Sequence, residues 1–193
     1  MIDPEFILNR HNSLQWCQES HEIAKYPPAY YDANGVYLGQ EWSSFYDINK
    51  KNRRRVCSLS EYLEVEGNYI RTAIDVLNKE GIQYLTIGYL EKSTYHTTLF
   101  EEKISDRKEL EVLFNECFIG MRVSIRNRKL VSLFKLCLRE KMWCIFVNMT
   151  RNFELAFGYE YYLILHTEIP YNELREIVGK NHLYLDARTT TNL

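Results

Sequence analysis

The sequence predicts an α/β protein of the α+β type, with helices packed on a mixed, largely antiparallel sheet of about 4–6 strands. Segments with apolar residues every three or four positions favour helices, and they alternate with short runs of β-branched and aromatic residues that favour strands. The composition agrees, because 46% of the 193 residues are hydrophobic and 26% are charged. Such values are typical of a folded globular chain and exclude a disordered one.

The N-terminal quarter combines a helical pattern with a loop rich in aromatic residues. Residues 1–6 read Met-Ile-Asp-Pro-Glu-Phe and resemble a cloning scar, so we assign residues 7–193 to a single globular domain. A first helix is expected over residues 13–23, ending before two prolines. Residues 26–47 hold those prolines, an Asn-Gly turn signal and seven aromatic residues, which indicates an ordered loop or a short hairpin.

Three helices are predicted in the middle of the chain. Ser58 and Glu61 have capping-box spacing before an apolar stripe that runs to residue 77, and Gly81 is placed to end that helix. A strand follows over residues 82–90. Asp106 and Glu109 repeat the capping spacing, and Gly120 is the expected end of the second helix. A third helix is expected over residues 129–140, with Lys135 and Arg139 facing water.

The last third of the chain reads as an antiparallel meander followed by a helix and a strand. Residues 143–149, 153–157 and 159–166 are rich in β-branched and aromatic residues and are separated by short turns. Residues 170–178 favour a helix that Pro170 opens and Gly179 closes.

Several classes of protein are disfavoured by what the sequence lacks. The longest apolar runs are far shorter than the roughly 18 residues of a membrane span, and no signal peptide is recognised, so we expect a cytoplasmic protein with no membrane partner. The five cysteines are widely spaced, which favours buried free thiols over a metal site. Because no phosphate loop or nucleophile elbow is found, we expect no cofactor, no metal and no enzyme activity.

Charge is segregated into blocks along the chain, although the net charge is only −2. Residues 57–120 carry −6, whereas residues 50–56 carry +5 and residues 121–151 carry +7. Such blocks can form faces that steer a charged partner. An accessory protein that binds nucleic acid through basic segments 50–55 and 122–129 is the first alternative function, and the acidic segments argue against it.

A second alternative is a phosphoesterase-like enzyme that uses two histidines for proton transfer. His96 is followed two residues later by Thr98, as that chemistry requires. His166 is followed by Glu168 instead, and a carboxylate at that position would repel phosphate.

Aromatic residues are abundant, with fifteen tyrosines, nine phenylalanines and three tryptophans. Tyrosine is enriched at the hot spots of protein interfaces, so a tyrosine-rich chain without a catalytic motif fits a protein-binding role. The tyrosines could equally well line the core, with their hydroxyls at its rim. Because the prolines stiffen the aromatic loop, we take Tyr30, Tyr31 and Trp42 as candidate partner-binding residues.

The C-terminal aromatic motif resembles part of a known family. Residues 157–165 read Phe-Gly-Tyr-Glu-Tyr-Tyr-Leu-Ile-Leu, and residues 183–185 read Leu-Tyr-Leu after a short helix. This pattern is similar to that of bacterial immunity proteins found at polymorphic-toxin and contact-dependent inhibition loci. The resemblance implies a cytoplasmic protein that neutralises a cognate toxin protein, often a nuclease, by occupying the toxin's active site or substrate path. Glu61, Glu64 and Glu66 would then face a basic toxin surface.

Overall fold

The structure is a computed structural model that describes residues 20–34, 36–50, 56–93 and 106–186. These residues contain four helices and a seven-stranded antiparallel sheet, which confirms the predicted class with more strands than expected. The helices are α1 (Leu59–Lys79), α2 (Arg107–Glu116), α3 (Arg128–Leu138) and α4 (Tyr171–Lys180). The strands are β1 (His21–Ala24), β2 (Tyr84–Lys92), β3 (Arg122–Ser124), β4 (Met142–Asn148), β5 (Phe153–Phe157), β6 (Tyr162–His166) and β7 (Tyr184–Leu185).

The strand order is β3-β2-β4-β5-β6-β1-β7, and every pair in it is antiparallel. The meander from β4 to β6 is therefore confirmed. β1 lies between β6 and β7, so the first described strand joins the two last ones. The sheet exceeds the expected strand count because β1 and the short edge strand β3 were not anticipated, whereas β7 is the strand expected after the last helix.

The first helix is wrong where it can be checked. Residues 21–24 form β1, and residues 13–19 lie outside the described residues. Ile23 pairs with Leu163 of β6 and with Leu185 of β7, and its side chain is fully buried. Pairing on both sides therefore outweighs the helical pattern of the local sequence.

Helix α1 begins and ends as the sequence predicts. The Ser58 hydroxyl accepts a hydrogen bond from the Glu61 backbone N–H at 3.1 Å, which caps the N-terminus. Gly81 follows the helix with a φ of +68°, a left-handed conformation that glycine adopts without steric cost. The apolar face of α1 packs into the core beside α3 and α4.

Helices α2 and α3 differ from the prediction at their ends. Asp106 does not cap α2, because its carboxylate accepts hydrogen bonds from Lys135 and Arg139 of the neighbouring segment. At the next helix, the Asn127 side chain caps the N-terminus of α3 by accepting a hydrogen bond from the Lys129 N–H at 2.9 Å. The expectation that Lys135 and Arg139 face water is wrong, since Lys135 binds Asp106 and Arg139 is only 2% exposed.

The end of α4 also departs from the prediction, because Gly179 lies inside the helix rather than closing it. The core lies between the helices and one face of the sheet. A smaller apolar cluster of Ile145, Val147 and Ala156 lies on the opposite face. No helix among the described residues is both long enough and apolar enough to cross a membrane.

Candidate functional site

A cavity of about 190 Å³ brings together several of the residues that the sequence singled out. It lies between the N-terminal half of α1, residues 25–42 and the turn before β7. Its lining includes Lys25, Pro27, Glu41, Trp42, Glu61 and His182. Parts of the chain that are far apart in sequence therefore meet at one surface.

Trp42 forms the floor of this cavity and is only 1% exposed. Its indole Nε1 donates a hydrogen bond to the Glu61 carboxylate at 3.2 Å. Its ring packs at 5.1 Å from Tyr161 and 5.4 Å from Tyr62, both of which are buried. Trp42 is therefore a core residue that positions Glu61, and the expectation that it contacts a partner is corrected.

Lys25 connects the cavity floor to its acidic rim. The Lys25 ammonium lies 4.0 Å from the centre of the Trp42 ring and 3.4 Å from a Glu41 carboxylate oxygen. The Lys25 backbone N–H donates to the Tyr69 hydroxyl at 2.7 Å, and that hydroxyl donates to the Tyr161 carbonyl. These bonds fix the chain at the exit of β1 and so hold the loop that follows it.

Glu66 does not belong to this surface, because it is 2% exposed and bound to Arg139. The two Glu66 oxygens accept from Arg139 at 2.7 and 2.8 Å. Arg139 also donates to Asp106 at 3.0 Å, and Asp106 accepts from Lys135 at 2.6 Å. Although burial acts in the opposite direction, these hydrogen bonds hold the pKa of Asp106 below its usual value.

The helical period could have revealed the burial of Glu66. This residue lies four positions after Tyr62 and three before Tyr69, so it belongs to the same face of α1 as two buried aromatic residues. The spacing therefore separates Glu66 from Glu61 and Glu64, which lie on the more exposed side of the helix.

Three accessible carboxylates lie at or beside this cavity, those of Glu41, Glu61 and Glu64, and we call them the acidic surface. Glu64 is exposed, whereas Glu41 and Glu61 are half-buried at the cavity. Glu61 and Glu64 are three residues apart on α1 and therefore project from neighbouring positions of that helix. Leu63, which is exposed, adds apolar area beside them.

Of the segment 26–47, residues 26–34 and 36–38 continue from Pro27 at the cavity, and from here on the name aromatic loop is used for them alone. Two hydroxyl contacts hold it, since Tyr26 donates to the Glu160 carbonyl at 2.7 Å and the hydroxyls of Tyr31 and Tyr162 are 2.9 Å apart. An antiparallel bridge between Tyr31 and Tyr37 closes its turn. The loop leaves three apolar side chains exposed, by 55% to 65%: Tyr30, Val36 and Leu38.

These contacts divide the tyrosines between the two roles that the sequence left open. Tyr62, Tyr69 and Tyr161 are fully or almost fully buried, so they line the core. Tyr30 is mostly exposed and Tyr31 is half-buried, as a partner-binding role requires.

The basic residues of segment 122–129 gather at the other end of the sheet, where β3 leads into α3. Arg122, Arg126, Arg128 and Lys129 are all exposed there, and we call this group the basic end. The Arg122 guanidinium lies 4.2 Å from the centre of the Tyr84 ring. Lys129 pairs with Glu116 at 3.6 Å. Of the other basic segment, residues 51–55 lie outside the described residues.

Of the two histidines in the phosphoesterase alternative, His96 lies outside the described residues. His166 is buried in β6, where it is paired in register with Glu154 of β5. Its Nε2 lies 3.1 Å from the Asn152 amide nitrogen. No group of three or more potential metal ligands occurs in the described part of the chain.

No protein-family model, curated protein or solved structure matches the chain.

Proposed function

We propose that this protein is a non-catalytic binding domain that acts as an immunity protein and neutralises a cognate toxin, with a nuclease as the expected toxin class. The observation that carries the proposal is the juxtaposition of the acidic surface and the aromatic loop at one cavity. Pro27 and Glu61 line that cavity, and Pro27 leads into the turn that carries Tyr30. A basic protein surface is the complementary partner.

The two surfaces have different expected roles in binding. Exposed carboxylates accelerate the encounter with a basic partner and make the association rate dependent on salt. The exposed residues Tyr30, Val36 and Leu38 supply apolar contact area. Because the tyrosine hydroxyls already hold the loop, little ordering entropy is lost on binding.

The test begins by capturing partners from the native host after nuclease treatment, followed by binding kinetics on the purified complex. The double variant E61K/E64K should lower the association rate constant by about tenfold and flatten its salt dependence. The double variant Y30A/L38A should mainly raise the dissociation rate constant. The charge reversal R126E/K129E at the basic end is the matched control and should leave both rate constants within about twofold.

Two results would count against this function. Capture of nucleic acid without a stoichiometric protein would contradict the binding of a toxin protein. An association rate constant that changes neither with salt nor in E61K/E64K would contradict the role of the acidic surface. Because Glu61 also accepts a hydrogen bond from the buried Trp42 indole, the single variant E64K is measured beside the double one. Its melting temperature should be unchanged, so a slower association of E64K would come from binding alone.

Nucleic-acid binding at the basic end is a second candidate, favoured by the stacking of Arg122 on the exposed ring of Tyr84. Base stacking on aromatic side chains and phosphate contacts from arginine are the two elements of single-strand binding. Fluorescence anisotropy with a labelled single-stranded oligonucleotide tests it. Binding that weakens steeply with salt and is lost in R126E/R128E would support this candidate, and undetectable binding at low salt would exclude it.

A further inference from the structure

A second, larger cavity of about 550 Å³ lies between helix α4 and the edge strand β7. Tyr171, Arg175 and Gly179 line it from α4, and they succeed one another at intervals of four residues. That spacing places them along one face of the helix. β7 lines the opposite side with Tyr184 and Leu185, so the cavity is a groove that runs between a helix and a sheet edge.

The outer edge of β7 offers backbone hydrogen-bonding groups to this groove. β7 pairs with β1 through Ala24 and Tyr184, and the Asp186 N–H donates to the Glu22 carbonyl at 2.8 Å. Because hydrogen-bonded pairs alternate along an antiparallel ladder, the N–H and C=O of Leu185 point away from β1. Among the described residues no strand lies on that outer side. An unpaired edge of this kind is a template for another strand.

The charge of the groove indicates which strand would fit. Arg175 and His182 are exposed and line it, and no carboxylate lines it within the described ranges. Arg175 makes no ion pair with the residues that the structure describes. The exposed ring of Tyr184 provides an apolar contact beside the Arg175 guanidinium.

We propose that this groove binds an extended acidic peptide segment of a protein partner, which adds a strand to β7 and places a carboxylate against Arg175. Backbone hydrogen bonds to Leu185 supply affinity, and the helix face of α4 selects the side chains. The proposal does not depend on the toxin-binding function, because none of the carboxylates Glu41, Glu61 and Glu64 lines the groove. The two cavities share only the turn before β7, where His182 and Leu183 line both of them.

Gly179 provides a direct way to close the groove without disturbing the fold. A Cβ atom added at this position would meet nothing within 4 Å, and the backbone of Gly179 is not left-handed. A phenylalanine at this position therefore fills the groove, whereas an alanine leaves most of it open.

The experiment measures fluorescence anisotropy of the full chain with a labelled, capped peptide of three Val-Glu repeats. The wild type should bind saturably, and both R175E and G179F should weaken binding by about tenfold or more. G179A should bind within about twofold of the wild type, as should the distant charge reversal R126E. Two further peptides of the same composition are N-methylated on alternate residues, one in each register. Only the peptide that keeps the N–H groups facing β7 should bind.

Three results would overturn the proposal. One is the lack of saturable binding of the peptide to the wild type at millimolar concentration. Another is equal binding of both N-methylated peptides, since strand addition requires the backbone N–H groups. The third is an equal loss in R126E and R175E, which would show non-specific attraction of charge. The variants E61K and E64K test the toxin-binding function separately, because neither residue lines this groove.

Discussion

At the scale of single residues, Arg139 and Glu66 form a buried ion pair among the helices. Arg139 joins α1, α3 and the start of α2 through its bonds to Glu66 and Asp106. Removing one member of a buried ion pair leaves the other charge without compensation, which costs more than the pair itself contributes. The pair itself therefore adds less to stability than the loss of either partner would remove.

Glu66→Ala should lower the free energy of unfolding by about 3–5 kcal/mol, because it leaves the Arg139 guanidinium buried with half of its partners. The double variant Glu66→Leu with Arg139→Leu should recover most of that loss. Urea denaturation of both variants measures the difference. A double variant as unstable as Glu66→Ala would contradict this explanation, because the two leucines leave neither charge of the pair uncompensated.

Buried tyrosines make the protein sensitive to alkali. Burial raises the pKa of the hydroxyls of Tyr62, Tyr69 and Tyr161 well above the usual value of 10.0. Since the folded pKa exceeds the unfolded one, their stabilisation is complete below about pH 10 and is lost as the pH rises above it.

The free energy of unfolding should therefore fall as the pH rises above about 10, together with the appearance of tyrosinate absorbance. Tyr69→Phe should reduce the slope of that fall, because it removes one of the buried hydroxyls, while lowering stability at neutral pH through its lost hydrogen bonds. Tyr30→Phe is the matched exposed control. A slope unchanged in Tyr69→Phe would contradict this account.

At the scale of elements, local signals predicted the structure where local contacts determine it. Helix α1 has its cap, its stripe and its terminal glycine within its own sequence, and all three act as expected. Asp106 carries the same capping spacing, but its carboxylate binds Lys135 and Arg139, which are distant in sequence. β1 was missed for the same reason, since its partners are β6 and β7.

Ser58→Ala should destabilise the protein by about 1 kcal/mol, because the Glu61 N–H loses its partner at the first turn of α1. Ser58→Asp should retain the stability of the wild type, since a carboxylate caps equally well. Thermal and urea denaturation measure both variants. Equal destabilisation by the two substitutions would assign the effect to the Ser58 hydroxyl's contact with Ser60 at 3.0 Å instead.

At the scale of the whole molecule, the charge blocks of the sequence occupy different regions of the fold. The accessible acidic surface lies on α1 and residues 25–42, whereas the basic end lies where β3 meets α3. Glu61, Glu64 and Tyr30 were identified as accessible candidates from the sequence, but Trp42 and Glu66 were not recognised as interior residues. Composition shows that a charged or aromatic side chain is present, but only packing determines whether that side chain is buried or exposed.

The position of β1 also bears on how the chain folds during its synthesis. Its partners in β6 follow it by roughly 140 residues, a gap that translation at about 5–20 residues per second takes on the order of ten seconds to cross. Throughout that interval Ile23, which is fully buried in the finished sheet, has no strand to pair with. The nascent chain is therefore expected to present an early binding site for chaperones, which disappears when the ribosome has delivered β6.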